Sequence, residues 1–537
     1  MPGYFALLLH AHLPFVRHPE HARFLEESWL FEAITETYLP LLEMLSEWRR
    51  DALPARLTLS LSPTLGAMWR DPLLRDRYEH YLAGRLELAE KETSRAHWDR
   101  ALRRLAEHYR RRFLHLREAW LAWGRDLVGA FGQFQESGQL ELITCAATHA
   151  LLPLLAEHPP SLRAQMLVAR DEYRAWHGRD PAGFWLPECA YAPALEPALR
   201  AANLHWFVVD THGLLRGNPC PRYGPYAPVI TPAGLAAFAC DPESAKQVWS
   251  RHEGYPGDPL YRDFYRDVGF DLDFDYVRPY LPTPDHRGFT GIKYHRITGP
   301  GADKATYDRE RALARAAEHA RHFLAARCAQ AARLAGAMDR PPLLVAPYDA
   351  ELFGHWWHEG LAFLDAFVRQ AAGEGVPLTF LTPSDYLRRH PVNQLAAPSP
   401  SSWGEAGYWQ TWLNERNAWI LPHLRAAQER MSQLAKRCPQ PDALAARALR
   451  QAGRELLLAQ ASDWPFMLHT NSDPDYARRR VNDHLGRFTA LHDQLLAGQV
   501  NEPALCQLEQ QDNLFPELDY RYWSAEAFTG RAASRAA

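Results

Sequence analysis

The stretch GFWLPECAY, residues 183–191, is an apolar and aromatic run that ends at one carboxylate, Glu188. The run has the length and composition of a buried strand that gives way to a turn. Two interpretations are open at this point. Glu188 could lie at a helix N-terminus in a core, or the indole of Trp185 could lie against a sugar ring that Glu188 attacks. The remainder of the chain decides between them.

Similar apolar runs recur along residues 1–396, and each is followed by a polar or aromatic residue and then a helical stretch. Continuous apolar strands separated by helical segments are typical of buried parallel strands. Seven or eight of them predict a closed α/β barrel of βα units, whose strands end at one mouth. The other runs are YFALLL up to His10, ARLTLSLSP near Ser62, LELITCAATH near His149, HWFVVD up to Asp210, GIKYHRIT around His295, PLLVAPYD up to Asp349 and LTFLTP near Thr382.

Two insertions, and a shift to helical spacing of apolar residues near residue 400, divide the chain. Residues 66–137 read as charged amphipathic helices, and residues 211–290, rich in Pro, Gly, Tyr and Asp, as a loop excursion over the barrel mouth. Beyond a Pro/Ser-rich linker, apolar residues recur at helical spacing to the end. We therefore predict a catalytic barrel over residues 1–396 and a helical C-terminal domain over residues 397–537.

Composition excludes several classes of protein. The formal net charge of −4 provides no basic field for nucleic acid or an anionic membrane. The seven cysteines are scattered without a CxxC pair, which argues against a disulfide framework and a structural zinc site. The N-terminus lacks the features of a signal peptide, and no stretch approaches the roughly 20 apolar residues that span a bilayer. We expect a soluble, cytoplasmic protein, either a monomer or a small homo-oligomer.

Two carboxylates end separate apolar strands beside aromatic residues. They are Glu188, after Trp185, and Asp349, after Tyr348. Glycoside hydrolysis and transfer need such a pair, one group ionised and the other protonated, on either side of the scissile bond. A helix N-cap or an ion pair would explain either acid alone, whereas the two together favour a sugar site. Asp210, which also ends a strand, is a third acid, and we expect it to hold sugar hydroxyls.

His10 and His12, in HAHLP, end the first strand, where alternation places both on one face. With a third ligand from Asp210 or His149 they could bind zinc, and a zinc-dependent hydrolase remains an alternative. Hydrogen bonding to sugar hydroxyls is the favoured interpretation, with no metal.

Further aromatic residues lie where the barrel gives way to the helical domain. Trp403 and Trp412 are compatible both with a common groove and with core packing. Asp463 lies beside Trp464 in an otherwise helical segment, where an acid is costly unless it has a partner or a ligand.

Five motifs occur in an order that resembles glycoside hydrolase family 57, most closely its 1,4-α-glucan branching enzymes, over nearly the whole chain. They are HAHLPF, SWLFEAITETYLPLL, GFWLPECAY, PYDAELFGHWWHEG and DWPFML. The resemblance implies an incomplete (β/α)7 barrel with helical insertions, an all-α C-terminal domain that completes the active site, a retaining mechanism and no metal or cofactor. It places the nucleophile at Glu188 and the general acid/base at Asp349.

The same resemblance implies further substrate contacts. Trp29, Trp403 and Trp412 match aromatics that line the glucan groove, and Asp463 and Arg262 match substrate-binding positions. The implied activity is cleavage of an α-1,4-glucan and transfer of the chain to a 6-hydroxyl, which forms α-1,6 branches in a glycogen-like glucan. An α-amylase or 4-α-glucanotransferase of the same family is the alternative, and a non-catalytic glucan-binding protein is the least favoured.

Overall fold

The computed structural model describes residues 3–249, 253–299, 301 and 303–524. Ten strands lie in one sheet: β1 (Gly3–Ala11), β2 (Leu57–Leu61), β3 (Leu140–Cys145), β4 (Gly183–Trp185), β5 (Trp206–Val209), β6 (Val229–Ile230), β7 (Ala236–Ala239), β8 (Leu343–Asp349), β9 (Leu378–Phe380) and β10 (Gln394–Leu395).

Helices connect and surround the strands. They are α1 (Glu27–Ala33), α2 (Leu39–Arg50), α3 (Pro63–Arg70), α4 (Pro72–Arg95), α5 (Arg100–Ala122), α6 (Leu127–Glu136), α7 (Leu152–Leu155), α8 (Pro159–His177), α9 (Glu196–Ala201), α10 (Thr211–Leu215), α11 (Pro242–Trp249), α12 (Val268–Asp271), α13 (Phe274–Val277), α14 (Arg309–Ala335), α15 (Gly360–Ala371), α16 (Pro383–Arg389), α17 (Ile420–Arg437), α18 (Ala443–Ala459), α19 (Asp463–Thr470), α20 (Pro474–Ala497) and α21 (Glu502–Gln511). A π-helical turn, Ile34–Tyr38, joins α1 to α2.

Parallel strands form the wall of the barrel in the order β7-β5-β4-β3-β2-β1-β8. Within the described residues, β7 and β8 are joined by a backbone hydrogen bond from Asp241 to Val345 (2.7 Å) rather than by a ladder of pairs. The sheet therefore curls without closing. The incomplete (β/α)7 barrel implied by the resemblance is confirmed, and the closed barrel predicted from the strand pattern alone is wrong.

Two strand assignments differ from prediction. The segment GIKYHRIT, residues 291–298, forms isolated bridges at His295 and Arg296 instead of a barrel strand. Its polar residues do not suit a strand buried on both faces. The seventh barrel strand is β7, which lies inside the segment predicted as a loop excursion, residues 211–290. A run of four residues, three of them alanine, is too short and too small to give a clear β signal.

Alternation along each strand separates two apolar surfaces. On β1, Phe5, Leu7 and Leu9 face the surrounding helices, whereas Ala6 and Leu8 face the barrel interior. The interior is a compact second core formed by Ala6, Leu8, Ile143, Cys145, Trp185, Cys189, Trp206, Val208, Ala236, Phe238, Cys240, Leu343, Val345, Leu381 and Tyr386. Because both faces of the strands are buried, the strands read as continuous apolar runs.

Helices α3 to α6 occupy residues 63–136, and helices α17 to α21 occupy residues 420–511. The C-terminal helices pack on the barrel through a buried polar contact at Asp71, which accepts hydrogen bonds from Arg17 (2.9 Å) and Asn513 (2.7 Å). Helix α19 brings its N-terminal residue, Asp463, to the barrel mouth. Among the described helices, none combines the length and apolar character needed to cross a membrane.

Candidate active site

Glu188 lies on a tight turn immediately after β4. Glu188 and Cys189 both adopt left-handed backbone conformations, with φ of 63° and 50°. This conformation is costly for residues other than glycine and is often retained at functional sites. The Glu188 carboxylate accepts hydrogen bonds from the indole of Trp403 (2.7 Å) and from the hydroxyl of Ser462 (3.3 Å). Trp403 and Ser462 both come after the last strand of the sheet in the chain. The C-terminal part of the chain therefore holds the Glu188 carboxylate in place.

Asp349 is the last residue of β8, where it pairs in register with His10 of β1. The alternation of β8 places Asp349 on the same face as Leu343 and Val345, which point into the barrel. Within the described part of the chain, no group donates a hydrogen bond to the Asp349 carboxyl. Its acidic neighbour is Glu351, on the turn that follows the strand.

Burial and like charges keep these two acids protonated to unusually high pH. Burial, with a contribution from the Asp463 charge, raises the pKa of Glu188 to about 7, although the Trp403 hydrogen bond opposes this shift. Burial, followed by the charges of Glu351 and Glu188, raises the pKa of Asp349 well above its ordinary value. Because only Glu188 has donors for its ionised form, Glu188 is the acid that ionises first.

The histidines and Asp463 lie together at the mouth in two hydrogen-bonded groups, which meet where the rings of His12 and His149 stack. His10 contacts His149 through their Nε2 atoms (2.9 Å), and Nδ1 of His149 contacts the Ser462 hydroxyl (2.8 Å). Nε2 of His12 lies 3.2 Å from both carboxylate oxygens of Asp463. Burial lowers the pKa values of His10 and His149 well below the ordinary value, so both rings are neutral near pH 7.

One ligand atom each of His12, His149 and Asp463 lie within 4.8 Å of one another, a spacing at which three side chains could hold one metal ion. The two imidazoles are stacked, with centroids 3.8 Å apart and planes at 12°. An imidazole binds zinc in its ring plane, and two stacked planes do not meet at one ion. The two rings as arranged therefore do not suit shared coordination of one metal ion.

Three of the predicted tryptophans differ in burial and in the residues that they contact. Trp403 is half-buried and contacts Glu188 directly. Trp185 is fully buried; its ring stacks against that of His10, with centroids 5.0 Å apart, and is tilted by 58° against that of Trp403, 5.1 Å away. Its ring has no solvent-exposed face in this structure. Trp412 is also buried, against Leu151 and Ala190.

Three further predicted contacts have partners other than the two carboxylates. Trp29 is half-buried and packs edge-on against Tyr476 (5.9 Å). Asp210 directly follows β5, and its carboxylate contacts Nδ1 of His212 (2.9 Å). Arg262 is buried in an ion pair with Glu36 (2.9 Å), so it is part of an internal charge network rather than an exposed glucan contact.

Two regions of the chain match known protein families. Residues 6–398 match glycosyl hydrolase family 57, and residues 423–523 match the C-terminal region of 1,4-alpha-glucan branching enzymes. The chain belongs to glycoside hydrolase family 57. The resemblance stated from the motifs is confirmed.

Two curated relatives are named as branching enzymes. The chain is 32% identical to the 1,4-alpha-glucan branching enzyme of Thermococcus kodakarensis, over 96% of this chain and 78% of that protein. It is 30% identical to a probable 1,4-alpha-glucan branching enzyme of Mycobacterium tuberculosis, over 97% of this chain and 98% of that protein.

Two solved structures share the architecture of nearly the whole chain. The alpha-amylase AmyC of Thermotoga maritima has a TM-score of 0.91 at 42% identity, covering 97% of this chain and 99% of that one. The branching enzyme of Thermococcus kodakaraensis, in complex with glucose, has a TM-score of 0.89 at 30% identity, covering 98% and 97%.

Several polar residues of this family 57 site were missed from sequence. Glu351 accepts hydrogen bonds from the Tyr38 hydroxyl and from the backbone N–H of His12 (3.2 Å). Ser60 and Ser62 hold Nδ1 of His10 (3.2 Å) and of His12 (2.9 Å). The two serines alternate along the end of β2 as the histidines do along β1, which is a signal that sequence could have supplied. Glu351 and Tyr38 carried no such signal.

Proposed function

We propose that this family 57 protein is a 1,4-α-glucan branching enzyme. It would cleave an α-1,4-glucan with retention and transfer the chain to a 6-hydroxyl of a second glucan, which forms α-1,6 branches in a glycogen-like polymer. The observation that carries the proposal is the pair Glu188 and Asp349 at one barrel mouth, with only Glu188 supplied with hydrogen-bond donors. The branching names of the two curated relatives support the choice of reaction.

The electrostatics support different proposed roles for the two acids. Asp349, which keeps its proton, donates it to the glycosidic oxygen while ionised Glu188 attacks the anomeric carbon. The departing chain leaves a covalent glucosyl-enzyme. Asp349, now a base, takes the proton of an acceptor 6-hydroxyl, and that oxygen displaces Glu188. A retaining mechanism of this kind needs the two carboxyl groups about 5 to 5.5 Å apart.

The cluster at the mouth suits the donor sugar. Both ring nitrogens of the neutral His10 and His149 are engaged, with Ser60, with Ser462 and with each other, so we propose that these two rings form a fixed floor beside the donor sugar. Asp463 and Asp210 offer acceptors, and Trp403 offers an aromatic face. We assign Trp29 and Trp412 to the walls of a longer groove, and we assign Trp185 and Arg262 to its support.

We also propose the wider setting of the reaction. Residues 1–396 would form the catalytic domain, and residues 397–537 a helical domain that completes the glucan groove through Trp403, Ser462 and Asp463. The substrates would be α-1,4-glucan donor and acceptor chains. A role in building glycogen places the protein in the cytoplasm, as a monomer or a small homo-oligomer.

Incubation of the protein with amylose tests this proposal. Proton NMR should show new α-1,6 linkages, and Glu188→Gln should lower their rate of formation by at least about 1,000-fold because the nucleophile is lost. An unchanged melting temperature would show that the variant still folds. Wild-type activity in Glu188→Gln would disprove the assignment of the nucleophile.

A mainly hydrolytic amylase is the second candidate, because the solved structure of AmyC is titled an alpha-amylase. The same two acids would serve hydrolysis, with water in place of the acceptor hydroxyl. New reducing ends without α-1,6 linkages in the amylose experiment would establish this alternative and reject branching.

A further inference from the structure

A polar cavity lies at the end of the barrel opposite the proposed catalytic acids. It has a volume of about 210 Å³ and is lined by residues at the amino ends of three parallel strands. Arg56 directly precedes β2, Leu140 begins β3, and Ala182 directly precedes β4. Glu188 follows the carboxyl end of β4, and Asp349 is the last residue of β8. Because these strands are parallel, the cavity and the proposed active site lie at opposite ends of the barrel.

Two carboxylates around this cavity already have cationic partners. Arg56 and Arg388 share the carboxylate of Asp385, with Nη1 of Arg56 at 2.9 Å. The carboxylate of Asp180 accepts a hydrogen bond from Arg174 (2.7 Å). These two acids are therefore already engaged, and a further cation on the cavity wall is left without a counter-charge from them.

Arg179 is that further cation. It lines the cavity, is exposed, and forms no ion pair or hydrogen bond within the described residues. Burial raises the pKa of Tyr173, on the same wall, to about 12, and the nearby charge of Arg179 opposes this rise. The remaining acid of the wall, Glu141, accepts a hydrogen bond from the Ser384 hydroxyl, and burial raises its pKa. Glu141 therefore opposes an anion less than an exposed carboxylate would.

An unpaired guanidinium in a concave site favours a ligand with acceptor oxygens. Its planar fork of N–H donors matches the oxygens of a phosphate group. Gln135 adds a donor, because its Oε1 atom is engaged by Tyr173 and Leu142, whereas its Nε2 group has no acceptor within the described residues. The cavity has the volume of about seven water molecules at roughly 30 Å³ each, so a phosphate ion fills only part of it. The amide, carboxyl and hydroxyl groups of the wall suit a hydroxylated body in the remaining space.

We infer that this cavity binds a small hydroxylated phosphate ester, such as a hexose phosphate, and that Arg179 recognises its phosphate group. The site is separate from the glucan groove and does not depend on the proposed branching reaction. Inorganic phosphate shares the recognised group, so the experiment compares the free ion with the ester.

Isothermal titration calorimetry on the full chain tests this inference, with glucose 6-phosphate and inorganic phosphate as probes. An excess of maltoheptaose fills the glucan groove, and the Glu188→Gln background prevents turnover. We expect glucose 6-phosphate to bind more tightly than inorganic phosphate, because the wall also contacts the sugar. Adding Arg179→Gln should weaken the binding of both probes at least about tenfold, because charge-assisted hydrogen bonds are lost.

Two further variants show whether the probes occupy the cavity. Ala182→Leu places a larger side chain on the cavity wall without a change of charge, and it should also weaken the binding of glucose 6-phosphate. Arg117→Gln is the matched control, because Arg117 is an exposed arginine of α5 without a partner within the described residues. Its affinity for both probes should equal that of the background protein. Unchanged melting temperatures show that the variants fold.

Several outcomes would overturn the inference. They are the absence of binding by both probes, an unchanged affinity in Arg179→Gln, and binding that disappears when maltoheptaose fills the glucan groove. Equal affinities for the two probes would reject the phosphate ester in favour of the free ion. The amylose experiment tests branching separately, so failure of the inference and failure of the proposed function are distinguishable.

Discussion

At the scale of single residues, the ionisation of Glu188 depends on one indole. The Trp403 N–H bonds the ionised carboxylate and so opposes the rise in pKa that burial causes. Because Glu188 must be ionised to attack, kcat/KM should rise with pH through the pKa of Glu188, about 7 in the free protein.

Replacement of Trp403 by Phe should raise the pKa of Glu188, because the ionised form loses a donor. The acid limb of the kcat/KM profile should then move to higher pH, with a loss of about tenfold at pH 7. Trp409→Phe is a matched control from the same segment. An acid limb that stays in place in Trp403→Phe would show that the hydrogen bond does not control ionisation.

Glu351 affects the ionisation of the second proposed catalytic acid, Asp349. Its negative charge raises the pKa of Asp349, which must keep its proton to act as general acid. In Glu351→Gln that charge is absent, so the pKa of Asp349 should fall. Activity is lost as pH rises through this pKa, and the basic limb of the profile should therefore move to lower pH. A basic limb that moves upward, or not at all, would contradict this role.

At the scale of elements, the turn after β8 packs tightly against the π-helical turn Ile34–Tyr38. Gly354 lies in this turn with φ of 110°, and a Cβ atom built there would lie 2.0 Å from the carbonyl oxygen of Glu36. Glycine is thus needed for two reasons, the backbone conformation and the close approach of two main chains.

Gly354→Ala should destabilise the protein by roughly 2–4 kcal/mol, since backbone strain and a backbone clash both contribute. Gly375 separates the two effects, because it also has positive φ (78°) but faces open space. Gly375→Ala should cost only about 1 kcal/mol. Urea denaturation measures both, and equal losses would mean that the contact with Glu36 relaxes freely.

At the scale of the whole molecule, the site is complete only where the C-terminal helices meet the barrel. Asp463 is the first residue of α19, and its carboxylate contacts His12. His12 directly follows β1 and lies 451 positions earlier in the chain. Asp463 also raises the pKa of Glu188 through its charge, behind the larger effect of burial.

Asp463→Asn should lower kcat/KM by about 10- to 100-fold, because a charged hydrogen-bond partner is lost. Loss of the negative charge should lower the pKa of Glu188, so the acid limb should move to lower pH, opposite in direction to Trp403→Phe. A normal melting temperature would confirm that the domains still pack. An acid limb shifted to higher pH would show that Asp463 does not act through its charge.

Local signals in the sequence predicted most of the barrel and both proposed catalytic acids. Seven of the eight predicted apolar runs are strands of the sheet, because a strand buried on both faces must be apolar along its whole length. Glu188 and Asp349 could be selected because each ends such a run beside an aromatic ring. The helical character of residues 420–511 followed from the spacing of their apolar residues.

Long-range packing decided what the sequence alone could not. Trp403 and Trp412 lie nine positions apart in one aromatic segment, yet Trp412 is buried and Trp403 bonds Glu188. Whether an indole supports a site or faces it depends on residues hundreds of positions away, and periodicity carries no information about them. The same holds for Arg262, whose partner Glu36 lies in another part of the chain. The sequence by itself determined where the strands lie and which acids follow them, because these depend on the short-range pattern of apolar residues. The tertiary structure decided how these acids ionise and which residues surround them, because burial and charge act through space.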